Sequence, residues 1–204
     1  MNPKTVFYLE ERDQPYYRCP ICELLLLHPS CLLTPDKEKA RYLEHINDIN
    51  DSGYQEFVNP LFQEICKNVK PGASGLDFGS GTGPVLAHKL GQKAYPIRLF
   101  DPFFHPDASA LSQKYDFVAA CEVVEHLHAP RKEFELLRSI LNPGGLLAVM
   151  TWLWDESIDF ANWGYRRDSA HVAFYSQTTF KWIAANLGFS KVWFPHYRIA
   201  LLRI

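Results

Sequence analysis

Apolar positions in this chain fall first in short alternating blocks and then in a repeated strand–helix rhythm. Within residues 1–34, VFYLEE (6–11) and ELLLLHP (23–29) predict short strands around the turn RCPIC (18–22). Thr34, Pro35 and Asp36 predict a helix start: a capping hydroxyl, a proline at the first position and an acid in the first turn. That helix is expected to run to about residue 49. Asn50, Asp51, Ser52 and Gly53 break it, and a second helix follows over 54–69, kinked or split at Pro60.

After Lys70-Pro71-Gly72 the pattern becomes that of a parallel sheet. GLDFG (75–79), PIRLFD (96–101), DFVAAC (116–121) and LLAVMT (146–151) read as strands. PVLAHKLG (84–91) and RKEFELLRSIL (131–141) read as helices, the latter closed by the turn Asn142-Pro143-Gly144-Gly145. Ser176 caps a helix over QTTFKWIAANLG (177–188), and VWFP (192–195) and RIALLRI (198–204) are two last strands. The expected division is 1–34, a helical cap over 35–70, and a main domain over 71–204.

Composition narrows the partners. The 204 residues suffice for one well-buried domain with an appendage, and 47% hydrophobic against 22% charged is ordinary for a globular chain. A net charge of -2 speaks against a broad nucleic-acid or anionic-membrane footprint. No apolar run approaches the ~20 residues of a membrane span. The first residues lack the basic start and apolar core of a signal peptide, so a cytoplasmic chain is expected. The five cysteines, at 19, 22, 31, 66 and 121, read as reduced thiols rather than a disulfide framework.

The chemistry begins at GLDFGSGTGP (75–84). A phosphate-binding P-loop needs Gly-Lys-Ser/Thr at its end, and Lys89 is too far along. A dinucleotide fingerprint needs a third glycine at 84, where Pro84 stands without an N–H for a pyrophosphate. Asp77 would also set a carboxylate near that phosphate. A sulfonium nucleoside, S-adenosylmethionine, carries two cationic centres and suits a nearby carboxylate.

LDFGSGTG (76–83) resembles the cofactor motif of class I S-adenosylmethionine-dependent methyltransferases, and Asp101, 22 residues after Gly79, matches the acid that holds the ribose. YDFVAACEVVEHL (115–127) and NPGGLLAVMT (142–151) resemble that family's fourth-strand and fifth-strand motifs. The resemblance covers roughly 55–204. It implies a three-layer α/β Rossmann-like sheet with a C-terminal antiparallel strand. Only 14 residues separate Asp101 from Asp116, so the family's third strand should be reduced or absent. The resemblance places the cofactor on Asp77, Gly79, Ser80, Gly81, Gly83, Asp101, Pro102, Cys121 and Glu122. The family's adenine-contacting acid after the third strand has no counterpart here, and Pro102 and Phe103 are expected to give the adenine an apolar face instead. Tyr42 and His45, on the helix before the sheet, are candidates for the methionine end or the substrate. The rival readings are a non-catalytic cofactor-binding protein and an NAD-dependent oxidoreductase.

CEVVEH puts Glu122, Glu125 and His126 after a strand's carboxyl end, where such sheets bind ligands. On one helical turn these three share a face. With His171 they resemble the site of ubiquinone-pathway and small-RNA 2′-O-methyltransferases, which implies a divalent metal, Mg or Mn, on Glu122, Glu125, His126 and His171. Without metal, His126 or His171 would act as general base toward a small-molecule hydroxyl. Tyr165, Arg166 and Arg167, beside Trp152, Trp154 and Trp163, would suit a planar or anionic acceptor, the alternative being an aromatic core with surface arginines. Cys19, Cys22, His28 and Cys31 resemble part of a zinc ribbon, but their spacing fits no standard finger, so a metal-free remnant is expected over 1–34.

Overall fold

The computed structural model describes residues 5–44 and 48–204. Its main sheet has six strands in the order β5-β4-β6-β7-β10-β9. These are β4 (Gly75–Phe78), β5 (Ile97–Phe100), β6 (Tyr115–Cys121), β7 (Leu141–Met150), β9 (Lys191–His196) and β10 (Ile199–Arg203). The first four are parallel; β10 pairs antiparallel with both β7 and β9. β5 and β9 are the two edge strands. The 14 residues after Asp101 hold a bridge from Asp101 to His105 and one short helical stretch (Ala108–Ser112), with no strand of their own. The shortened connection therefore costs the fold its third strand, as its length predicts.

Alternation along β7 divides the core. Leu147 and Val149 face a layer containing Phe134 of α4 (Pro130–Ser139) and Phe180 of α5 (Gln177–Leu187). Leu146, Ala148 and Met150 face Leu61 and Ile65 of α2 (Ser52–Asn68) and Leu86 and Leu90 of α3 (Val85–Gly91). A strand covered on both faces reads as a continuous apolar run, which LLAVM is. α5 begins where expected, with Ser176 and Thr179 in a reciprocal capping box, and ends on Gly188 at φ 78°. Asn142 to Gly145 do not close the preceding helix, which ends at Ser139, but bulge from β7: Tyr115 pairs with Leu141 and Phe117 already with Leu146.

The N-terminal sheet is larger than expected. Between β1 (Val6–Glu11) and β3 (Leu25–Leu27) lies a strand missed in the sequence, β2 (Gln14–Arg18). Arg12 and Asp13, both left-handed (φ 54° and 59°), join it to β1 in a two-residue hairpin. The fourth strand, β8 (Ala173–Phe174), comes from the far end of the chain and pairs with β3. Tyr16 and Leu25 share a core there with Trp154, Phe160 and Trp163.

Two helix expectations need correction. α1 (Pro35–Leu43) stops at Leu43, well short of residue 49, and Thr34 makes no side-chain cap bond. α2 starts at Ser52, because the Asp51 carboxylate accepts from Gly53 N at 2.8 Å and Tyr54 N at 3.3 Å, and it runs through Pro60 without splitting. No helix among the described residues is long and apolar enough to cross a membrane.

Candidate active site

The carboxyl ends of β4, β5 and β6 open onto a cavity of about 660 Å³. Its first wall is the loop over residues 79–84. Gly79 and Gly81 are left-handed (φ 74° and 63°), and a Cβ on Gly79 would lie 2.5 Å from the Val123 side chain. Glycine is thus required at 79 both by conformation and by close approach. Pro84 sits at the N-cap of α3 with no N–H to offer an anion. Asp101 joins this loop to the next: Gly81 N donates to its Oδ2 at 3.0 Å, Phe103 N and Phe104 N to its Oδ1 at 2.8 and 3.0 Å.

Asp77, Gly79, Ser80, Gly81, Gly83, Asp101, Pro102, Cys121 and Glu122 all line this cavity, as does Tyr42. His45 lies outside the described residues. Burial lifts the Asp77 carboxyl to about 7, the Asp101 charge adds to this, and the Ala87 backbone N–H opposes it. Burial likewise pushes the Cys121 thiol up. The Ser80 hydroxyl is buried with no hydrogen-bond partner among the described residues. A buried carboxylate lacking a cation and an unbonded hydroxyl are the features a cationic, polar ligand would satisfy.

The second wall carries the imidazoles. His126 and His171 are 4.8 Å apart between ring centroids. His126 Nδ1 is 2.9 Å from Ala170 O, and His171 Nδ1 is 2.6 Å from Tyr165 O. A carbonyl only accepts, so each Nδ1 carries the proton and each Nε2 of the neutral ring keeps its lone pair. Burial lowers the His126 pKa, which favours that neutral ring, against the smaller pull of the Ala170 carbonyl and nearby acids.

Glu125, His126 and His171 form the one group with metal-ligand potential among the described residues, their donor atoms all within 4.8 Å. Glu125 is fully buried, its Oε2 has no partner, and burial lifts its carboxyl to about 7. Two anchored imidazoles and a buried carboxylate fit a small divalent cation. Glu122 does not join them. EVVEHL forms only a short 3₁₀ turn over Val124–His126, and Glu122, left-handed at φ 52°, stands before it, so the shared helical face expected for 122, 125 and 126 is not made. Glu122 instead binds Arg198 at 3.0 Å, and burial together with the Glu125 charge lifts its carboxyl to about 8, against the pull of Arg198.

Tyr165 organises this wall. Its carbonyl anchors His171, and its hydroxyl lies 2.7 Å from Glu125 Oε1 and 3.1 Å from Glu122 Oε2. One phenol has one proton to donate. Two carboxylates around it therefore favour a further shared proton, in line with both carboxyls being raised. Arg41 grips Asp168 through two bonds of 3.2 and 2.7 Å, which together with the Ala170 N–H outweigh burial and hold Asp168 at about 2.

Glu38, Tyr54, Phe57 and Asp168 also line the cavity, and no spacing rule marks them because they come from separate segments. Arg166 and Arg167 do not reach it. Arg166 is buried against Tyr16 and bonds the carbonyls of Phe160 and Ala161, and Arg167 bonds Asn162 O. The two guanidiniums expected beside the acceptor thus stabilise the segment after β7. In the N-terminal sheet Cys19 and Cys22 are buried, while His28 bonds Ser30 and Cys31 turns toward Asp13 O.

The family model of the methyltransferase domain matches residues 40–192 of the chain. No curated protein matches the sequence significantly. Among solved structures, the chain is similar to the 1,6-didemethyltoxoflavin N1-methyltransferase of Burkholderia thailandensis, solved with 1,6-didemethyltoxoflavin and S-adenosylhomocysteine. The TM-score is 0.60 at 12% identity, over 97% of this chain and 98% of that one. It is also similar to human N-acetylserotonin methyltransferase in complex with S-adenosylmethionine, with a TM-score of 0.54 at 14% identity, over 81% of this chain and 56% of that one. An O-methyltransferase family protein from B. thailandensis gives 0.51 at 15% identity, over 73% and 56%. At such identities the likeness to these structures is one of fold. The match over residues 40–192 and the six-stranded sheet agree: the chain belongs to the methyltransferase domain family and has the fold of the class I S-adenosylmethionine-dependent enzymes.

Proposed function

We propose that the cavity holds S-adenosylmethionine along the glycine loop and that the chain transfers its methyl group to a small-molecule acceptor, a hydroxyl being the group its residues suit best. The observation that carries this reading is the meeting, in one cavity, of the glycine loop and two imidazoles that are each held through Nδ1 by a backbone carbonyl. When bound, S-adenosylmethionine supplies an electrophilic methyl for in-line displacement. Asp77 and Ser80 suit its cationic and polar end. Asp101 retains acceptor capacity on Oδ2 for ribose hydroxyls, and Pro102 and Phe103 offer the adenine an apolar face.

The chain's own contribution is positioning and proton removal. Tyr165 and Ala170 fix the imidazoles through Nδ1, and His126 or His171 takes the acceptor's proton on Nε2. A Mg or Mn ion on Glu125, His126 and His171 would instead lower the hydroxyl's own pKa. The two roles compete for the same lone pairs, and an EDTA titration separates them. Loss of activity restored by Mg or Mn supports the metal; unchanged activity supports the histidines as bases. Transfer of labelled methyl to a panel of hydroxyl, amine and carbon acceptors tests the whole reading. Tight cofactor binding with no turnover of any class would favour a non-catalytic cofactor-binding protein.

A further inference from the structure

We infer that the acceptor is an uncharged or cationic ring compound and that carboxylate- and phosphate-bearing acceptors are excluded, an inference that rests on the cavity being the methyl-transfer site. The lining contains six acidic side chains, Glu38, Asp77, Asp101, Glu122, Glu133 and Asp168, of which Asp77 and Asp101 are those assigned to the cofactor, and not one lysine or arginine among the described residues. Two of the six are balanced from behind: Arg41 pairs with Asp168 and Arg198 with Glu122, and neither guanidinium reaches the lining. Glu38, Asp77, Asp101 and Glu133 are in no ion pair among the described residues. The Glu38 carboxylate accepts from the Tyr42 hydroxyl at 2.5 Å.

Recognition of a phosphate or carboxylate needs the opposite arrangement, guanidinium or ammonium groups or a row of backbone N–H donors. Here the backbone N–H groups of Gly81, Phe103 and Phe104 are spent on Asp101. An anion entering the acceptor side of this space would meet Glu38 and Glu133, which have no ion-pair partner among the described residues, and no lysine or arginine side chain in the lining.

The walls also specify shape. Phe103, Tyr42, His126 and His171 form a continuous run of rings with centroids 5.8, 5.1 and 4.8 Å apart. Tyr54 and Phe57, stacked at 5.6 Å and 19°, supply further aromatic lining from α2. Ring faces bordered by carboxylates attract flat ligands and, among those, favour cations. A heteroaryl amine or an aminated phenol satisfies all of these features. A nucleic-acid 3′ end, with its flanking phosphates, satisfies none of the electrostatic ones.

The test uses the full chain saturated with S-adenosylhomocysteine and matched ring compounds of three charge classes. One such series is 4-hydroxyphenethylamine, 4-hydroxyphenethyl alcohol and 4-hydroxyphenylacetate, extended to heteroaryl sets of similar size. Binding is read by thermal shift and by ligand-observed NMR at pH 7.5. Hits are expected among the cationic and neutral members, with each anion bound at least tenfold more weakly than its matched amine. An anion that binds as tightly as its amine, or a complete lack of cationic and neutral hits, would overturn the inference. Absence of any shift with S-adenosylhomocysteine itself would overturn the cofactor reading instead. The same panel on cofactor-free protein would then still report the charge preference of the cavity.

Discussion

The two walls of the cavity are built in different ways. The wall we assign to the cofactor comes from two short stretches, 77–84 and 101–104, and is held by backbone: left-handed glycines and N–H groups gathered on Asp101. The opposite wall takes Glu38 and Tyr42 from α1, His126 from the loop after β6, and Asp168 and His171 from the segment after β7. Side chains far apart in sequence hold it, Arg41 to Asp168 across 127 residues and Arg198 to Glu122 across 76. A wall made of backbone tolerates little change, whereas a wall made of side chains can be altered one residue at a time. The difference suits a site with one fixed cosubstrate and an acceptor set by substitution.

The sharpest way to break the first wall is Gly79→Val. A side chain there meets Val123 and must adopt φ 74°, so a stability loss of about 2–3 kcal/mol is expected, together with loss of cofactor binding. Chemical denaturation and calorimetry measure both, and near-native behaviour would mean the loop is not the constraint described.

The second wall should separate binding from turnover. His126→Gln and His171→Gln are each expected to lower kcat by roughly 10²–10⁴-fold if that imidazole takes the proton. Cofactor affinity should stay within a few-fold. Loss of cofactor affinity with kcat intact would place the histidines on the wrong wall.

Asp77 links charge to pH. Its carboxyl titrates near 7 in the folded protein against 3.8 for its ordinary value, so between about pH 4 and 7 the folded state holds more protons than the unfolded state. Stability of the cofactor-free protein should therefore fall as pH rises through that window. Affinity for S-adenosylmethionine should move the other way, rising toward pH 7 as the carboxylate ionises, by up to roughly tenfold per unit. Asp77→Asn should flatten both profiles.

The smallest effect is expected from Arg41→Ala. The pair with Asp168 is partly exposed, so about 1 kcal/mol of stability or less is at stake. Any catalytic consequence should appear in the acceptor's KM and leave cofactor affinity unchanged.

Legibility followed the same division. Strands β4 to β7, the glycine loop and Asp101 are local patterns, and each could be located from the residues around it. The lost third strand was legible as a simple shortage of chain between Asp101 and Asp116. The acceptor wall was legible only in pieces. Its histidines stood out, but whether Glu122 would join them depended on φ 52° and on Arg198, neither of which leaves a trace in CEVVEH. Arg166 looked like a ligand-binding guanidinium because its sequence neighbours are aromatic, and it is buried for the same reason. β2 was hidden because QPYYR begins beside a turn and contains a proline, and β8 because two residues carry no periodicity.

The most direct measurement is a comparison of ligands by thermal shift and calorimetry: S-adenosylmethionine, S-adenosylhomocysteine, NAD and ATP on the full chain. Stabilisation by the two sulfur nucleosides and none by NAD or ATP is expected from Pro84, Asp77 and the glycine loop. Stabilisation by NAD with no response to S-adenosylhomocysteine would contradict a sulfonium-nucleoside site.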